Sequence, residues 1–178
     1  MGTDKALLPF GGYASLAHYQ YERMQKIFAT VYIGAKEDKF DFSCKLIADS
    51  VNKECFAPSV GFVSLFEHLQ AAERVFVLSV DAPFVDRSVI ERLFAEDSDS
   101  LDAVIAQDAS GAHPMCGIYH RSLLPHFRQM VQTDDHRLGK LLRTVRTKFV
   151  PFSDATLFVN VNDPKEYAEA KSIAKESF

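Results

Sequence analysis

Arg74-Val75-Phe76-Val77-Leu78-Ser79-Val80 is a nearly unbroken run of apolar β-formers, and it restricts what this chain can fold into more than any other stretch. A strand this apolar has no face to give to water. It belongs inside a sheet covered on both sides, which is the setting of parallel sheets. The segments around it alternate between helical and extended periods. Tyr13, Leu16, Ala17, Met24, Ile27 and Phe28 recur at helical spacing, Thr30–Ile33 reads as a short strand ending at Gly34, and Lys45–Ala48 as a second. Phe62, Leu65, Phe66, Leu69 and Ala72 mark the helix before the central run. After it come a helix through Val89, Ile90, Leu93 and Phe94, with Ser88 and Glu91 as a capping box, and strands at Asp102–Ala106 and Met115–Tyr119. Helices over Ser122–Val131 and Leu138–Val145 and a short strand at Lys148–Val150 follow. A last helix is signalled by Asp163 as N-cap, Pro164 at its first position and Glu166 completing a box. Strand–helix alternation of this kind predicts one three-layer α/β domain over residues 1–178, built on a mostly parallel sheet.

Bulk properties remove several function classes. The formal net charge of −4 argues against general nucleic-acid binding, which favours a basic face, while leaving room for a local basic pocket. Cys44, Cys55 and Cys116 are odd in number and widely spaced, with no C-x-x-C pair, so neither a zinc site nor a disulfide framework is expected. No apolar run approaches the roughly 20 residues that span a bilayer, and Met1-Gly2-Thr3-Asp4-Lys5 does not resemble a signal peptide. A cytoplasmic domain is the expectation. The sequence carries no H-E-x-x-H, no G-x-G-x-x-G and no Ser-His-Asp order, which leaves metalloprotease, dinucleotide-binding and serine-nucleophile chemistry without support.

In an open α/β sheet, ligands bind beyond the carboxyl ends of the strands. That rule points to Gly34, Asp49, Asp81 and Gln107. It also exposes a difficulty at the start of the chain. The first strand of such a fold normally lies mid-sheet, yet Ala6-Leu7-Leu8-Pro9-Phe10 is short and runs into Gly11-Gly12. A sheet lacking its central strand would expose two edges and a cleft in the core. The expectation is that more chain lies upstream, or that another chain or a rearranged strand fills the gap.

Several residues have the chemistry to act on phosphates. Lys5, three residues after Gly2, could place a cation against a β- or γ-phosphate, although taken alone a lysine this near a terminus is more often simply solvated. Asp81 follows the strongest strand in Val80-Asp81-Ala82-Pro83-Phe84, well placed to hold Mg²⁺ beside a substrate's phosphates; as a turn former it also fits a purely structural role. Asp49, ending the strand before it, divides in the same way between a nucleotide contact and a turn. His113-Pro114 offers an imidazole for a phosphate or a heterocycle edge, or a polar turn. In Phe158-Val159-Asn160-Val161-Asn162, the two asparagines face the same side of an extended backbone and present paired amide donors and acceptors.

The order of these motifs is more specific than any one of them. Met1-Gly2-x-Asp4-Lys5-x-Leu7-Leu8, Ala48-Asp49-Ser50, Pro58-x-x-Gly61, Val80-Asp81-x-Pro83-Phe84, His113-Pro114 and Phe158-x-Asn160-x-Asn162-x-Pro164 resemble, in sequence and over essentially the whole chain, the molybdenum cofactor guanylyltransferases of the MobA family. The opening resembles the second half of the signature L-A-G-G-x-S-x-R-M-G-x-D-K-x-L-L, with the L-A-G-G-x-S-x-R part absent. The resemblance implies a Rossmann-like nucleotidyltransferase fold and transfer of GMP from GTP to Mo-molybdopterin, with Mg²⁺ as cofactor and transient contact with apo-molybdoenzymes. By position, Lys5 matches the phosphate-binding lysine and Gly2 the end of the glycine loop. Asp81 matches the metal aspartate, and Asp49 the carboxylate on the nucleotide side. Pro58 and Gly61 would shape the loop near the nucleotide, and His113, Asn160 and Asn162 would lie toward the pterin. Gly34-Ala35-Lys36 stands where family members tend to carry asparagines, which leaves a pterin cytidylyltransferase or a sugar-nucleotide enzyme as an alternative. The absent glycine loop leaves a second, a non-catalytic molybdopterin carrier.

Overall fold

The computed structural model describes residues 4–49, 57–161, 166–168 and 170. The chain enters through a 3-10 turn, Lys5–Leu7, whose first free N–H, that of Ala6, is taken by the Asp4 carboxylate at 3.0 Å. Helix α1 (Leu16–Gln25) begins at Ser15, whose hydroxyl accepts from the His18 N–H. Strands β1 (Ile33–Ala35) and β2 (Leu46–Ala48) pair in parallel as a two-stranded sheet. Helix α2 (Pro58–His68) leads to β3 (Arg74–Leu78), and α3 (Arg87–Ala95) to β4 (Ala103–Asp108). Strand β5 (Gly111–His120), helices α4 (Leu124–Thr133) and α5 (Leu138–Leu142), and β6 (Thr147–Pro151) complete the regular elements.

The second sheet has the order β3-β5-β4-β6. Strands β4 and β6 pair in parallel, and β5 runs against both β3 and β4, so three of its four strands share a direction. Alternation along β4 explains the layers: Val104 and Ala106 face a core closed by Val89, Ile90 and Leu93 of α3 and by Met24 of α1. Ala103 and Ile105 face the other core, closed by Phe62 and Phe66 of α2, Phe127 of α4 and Leu142 of α5. The three-layer α/β arrangement is the one the alternation predicts.

Three expectations need correction in detail. The first strand starts at Ile33 rather than Thr30, because Thr30, Val31 and Tyr32 make no ladder and instead line cavities beside it. Helix α3 is capped by Asp86, which accepts from the Val89 N–H at 3.1 Å; Ser88 is inside the helix and donates to that same carboxylate. Gln107 lies within β4 and Gly34 within β1, neither beyond the end of its strand. The last predicted helix falls largely outside the described residues, as do Asn162, Asp163 and Pro164.

Between β1 and β3 the two sheets do not meet. Among the described residues β1 pairs only with β2, and β3 only with β5. The trough between them holds cavities of about 430, 460 and 330 Å³, all three bordered by Tyr32 and Leu78; apolar residues such as Phe76, Leu65 and Met24 make up much of the rest, with Lys36 and Asp49 in the first. Among the described residues the trough leaves one edge of β1 and one edge of β3 without a paired strand.

Two glycines are fixed by space. Gly11, at φ +55°, packs against the Tyr19 ring, which a Cβ would meet at 2.5 Å. A Cβ on Gly117 in β5 would meet the Val104 carbonyl oxygen at 2.5 Å.

Asp102, just before β4, accepts from the Arg146 N–H and guanidinium and from the Ser122 hydroxyl. The Arg146 guanidinium in particular holds its carboxyl far below the usual range against the effect of burial. The unfolded chain takes up this proton first on acidification, so the stabilisation is complete above about pH 4 and declines as pH falls below it. We predict that Asp102→Asn is less stable than wild type at pH 7 and loses less stability between pH 5 and pH 3, measured by urea unfolding. Parallel acid limbs for the two proteins would contradict this.

Candidate active site

The loop that follows β3 carries Asp81, and its backbone is pinned from three directions. The Ser79 N–H continues the ladder to the Met115 carbonyl at 2.8 Å, and the Val161 N–H donates to the Asp81 carbonyl at 2.8 Å. From α1, the Gln20 amide donates to the Ala82 carbonyl at 3.0 Å, and the Arg23 guanidinium to the Pro83 and Val85 carbonyls. The Ser79 hydroxyl donates to the Asp81 carboxylate itself.

Asp81 opens on a cavity of about 300 Å³ with Ser79, His113, Pro114, Phe158 and Asn160 on its walls. His113 lies flat on Phe158, with ring centroids 4.4 Å apart and planes 10° apart. Its Nε2 is 3.1 Å from the Asp108 carboxylate, within ion-pair range but outside hydrogen-bond geometry. The Ser110 hydroxyl and N–H, with His113, hold the Asp108 carboxyl below its ordinary range although burial opposes them. Three predicted residues far apart in sequence, Asp81, His113 and Asn160, thus share one cavity.

A second predicted group gathers next door. Asp49, directly after β2, and Pro58 and Gly61, in the first turn of α2, line the cavity of about 430 Å³ together with Gly34 and Lys36. Asp49 Oδ1 would lie 3.7 Å from a Cβ on Gly61, an ordinary contact. Burial raises the Asp49 carboxyl's pKa, and the Lys36 charge acts against it. The N-cap of helix α2 is Ala57, which has no side chain to cap with, and Ala57, Pro58 and Gly61 line this cavity, so the positive end of the helix borders it. Met115 borders both cavities, which makes them neighbours. Lys5, on the 3-10 turn, lines neither, and Gly2 and Asn162 lie outside the described residues.

Among the described residues no group of three or more His, Cys, Asp or Glu side chains could cage a metal. A lone carboxylate on a cavity that also carries Ser79, His113 and Asn160 fits Mg²⁺, which takes one or two carboxylates and fills its remaining positions with water and phosphate oxygens. It would not fit a structural zinc site.

A hydrogen-bonded serine, histidine and aspartate do occur elsewhere. Ser59 Oγ is 2.6 Å from His136 Nδ1, and His136 Nε2 is 2.8 Å from Asp134. Ser59 is 0% exposed, so its hydroxyl reaches no substrate, and the relay fastens the α4–α5 connection to α2. Sequence reasoning missed Ser79, Gln20 and Arg23 at the Asp81 loop, Asp108 behind His113, and Lys36 beside Asp49. Only Lys36 left a readable signal, a cation just beyond a strand.

The MobA-like NTP transferase domain pattern matches residues 1–150. The chain belongs to that family. It is a nucleotidyltransferase. A molybdenum cofactor guanylyltransferase of Campylobacter jejuni subsp. jejuni serotype O:6 is 36% identical over 172 residues, covering 97% of this chain and 89% of that protein. Among solved structures, molybdopterin-guanine dinucleotide biosynthesis protein A of Archaeoglobus fulgidus superposes with a TM-score of 0.82 at 19% identity, over 98% of this chain and 92% of that one. A Mycobacterium tuberculosis H37Rv protein solved in complex with manganese superposes at 0.69 with 13% identity, over 96% and 93%. At these identities the two structures show the fold alone. No helix among the described residues is long and apolar enough to cross a membrane.

Proposed function

We propose that this chain transfers GMP from GTP to molybdopterin carrying molybdenum, forming the guanine dinucleotide cofactor and pyrophosphate, with Mg²⁺ as the divalent ion. The observation that carries this reading is the likeness to the Campylobacter guanylyltransferase along nearly the whole chain. The two adjoining cavities support it, one with Asp49, Pro58 and Gly61 for the nucleotide and one with Asp81, His113 and Asn160 for metal and pterin. Asn162, Gly2 and Lys5 keep the pterin-side and phosphate-side roles that the resemblance implies. Hand-over to apo-molybdoenzymes and a cytoplasmic location belong to the same proposal.

The terminal phosphate oxygen of molybdopterin attacks the α-phosphorus of GTP in line. A new P–O bond forms, the bond to the bridging oxygen breaks, and pyrophosphate leaves with the electron pair. No protein nucleophile is needed, so the residues act by placing two anions and offsetting their charge. Mg²⁺ bound at Asp81 supplies positive charge against the phosphates. Ser79 fixes the orientation of the Asp81 carboxylate, and Lys5 adds a second cation.

Residues 1–178 act as one domain in this reading, and a further extended apolar segment would fit the trough between β1 and β3. Calorimetry with GTP, CTP and ATP in the presence of Mg²⁺ tests both parts, on this chain and on one preceded by such a segment. Selective GTP binding that is gained or strengthened in the longer chain is the expected result. Preference for CTP would move the assignment to a cytidylyltransferase. Molybdopterin binding without nucleotide binding in either chain would make the protein a carrier.

A further inference from the structure

We infer that Gln20 and Arg23 of helix α1 are positioning residues for the divalent-ion site, a role that rests on Asp81 holding that ion. The loop 79–85 has no regular structure, and most of its later part is buried, with Ala82 5% and Val85 0% exposed. Buried carbonyl oxygens need donors. Here two side chains one helical turn apart provide them for four carbonyls. Gln20, itself 6% exposed, donates its amide to Ala82 at 3.0 Å and reaches Ser79 at 3.5 Å. Arg23 donates to Pro83 and, at 2.8 Å, to Val85. The pair is locked together by a bond of 2.7 Å from the Arg23 guanidinium to the Gln20 amide oxygen. The guanidinium also sits 5.2 Å from the centre of the Tyr19 ring.

The placement of these bonds gives them a bearing on chemistry. Gln20 holds the carbonyls on either side of Asp81, at Ser79 and Ala82, so it fixes the turn from which that carboxylate projects. A metal ligand must sit within about 0.5 Å of its productive place. The fork-shaped guanidinium matters here as much as its charge, since Arg23 spreads its bonds over two nitrogens, whereas a lysine has to offer its three N–H groups from one.

The test is Mn²⁺ binding in the presence of GTP, followed by loss of the free-ion electron paramagnetic resonance signal, with thermal unfolding measured on the same samples. The variants are Gln20→Met, Arg23→Lys and Asp81→Asn. Gln20→Met keeps the side chain's volume without its donors. Both clamp variants are expected to bind Mn²⁺ about tenfold more weakly, as loss of an outer hydrogen-bonding partner usually does, and Asp81→Asn to lose the site. Wild-type affinity in both clamp variants alongside loss of binding in Asp81→Asn overturns the inference. So does a fall in unfolding temperature with Mn²⁺ affinity unchanged, which is what a purely structural role produces. Wild-type binding by Asp81→Asn instead removes the underlying assignment of the ion to Asp81.

Discussion

Asp81→Ala will lower the rate of GMP transfer by about 10³-fold while leaving the unfolding temperature nearly unchanged. The two effects separate because the backbone and the side chain of this residue have different duties. The Asp81 carbonyl, which the substitution keeps, receives the Val161 N–H. The carboxylate's hydrogen-bond partner is the Ser79 hydroxyl at the mouth of an open cavity, and water can replace that partner. What alanine cannot replace is the anion that holds positive charge between two sets of phosphates. Pyrophosphate release with GTP and molybdopterin, set beside a thermal melt, is the measurement. Full turnover in the folded variant would remove Asp81 from the mechanism.

Phe127→Ala will cost about 3–5 kcal/mol of folding stability. Phe127 is fully buried and joins three elements: it stacks on Phe62 with centroids 4.5 Å apart and planes 6° apart, lies 6.4 Å from Phe66 on the same helix, and 6.1 Å from Tyr119 of β5. Removing the ring forfeits its transfer from water and leaves a cavity that two helices and a sheet cannot close together. A lower urea midpoint with an unchanged slope is expected. A loss below about 1 kcal/mol would show that this layer repacks freely. Because α2 also carries Pro58 and Gly61, the same variant should weaken nucleotide binding in proportion to its unfolded fraction.

The readable parts of this sequence are those where one side chain's chemistry implies its surroundings. The apolar run 74–80 predicts a strand, and β3 is one; yet among the described residues it is an edge strand, paired antiparallel with β5 alone and only half-buried, because its other edge borders the trough rather than the central, parallel and fully covered strand that its composition suggests. The end of β5 was harder to read, because His113-Pro114 looks like a turn, yet the strand begins at Gly111 and runs through both residues. Likewise two overlapping patterns competed at α3, and the carboxylate of Asp86 prevailed over Ser88 because it reaches the Val89 N–H directly. In the site, the order of motifs pointed to Asp81, His113 and Asn160 before any fold brought them together. The clamp from α1 was illegible for a physical reason: Gln20 and Arg23 bind backbone carbonyls, and a carbonyl carries no trace of residue type. Asp108 was hidden differently, since an aspartate before Ala-Ser-Gly reads first as a hairpin turn former, and it does that too, through Ser110.

The trough between β1 and β3 also bears on how the molecule meets its neighbours. An ordinary edge strand offers a passing chain one row of backbone donors and acceptors. Among the described residues the free edges of β1, three residues long, and of β3, five residues long, both border this trough, and a guest strand would find main-chain partners on either side. Affinity for such a guest comes from main-chain bonds and is nearly blind to sequence. Two such edges bordering one trough are the setting in which strand exchange between chains begins, and a segment that covers the trough removes both edges at once.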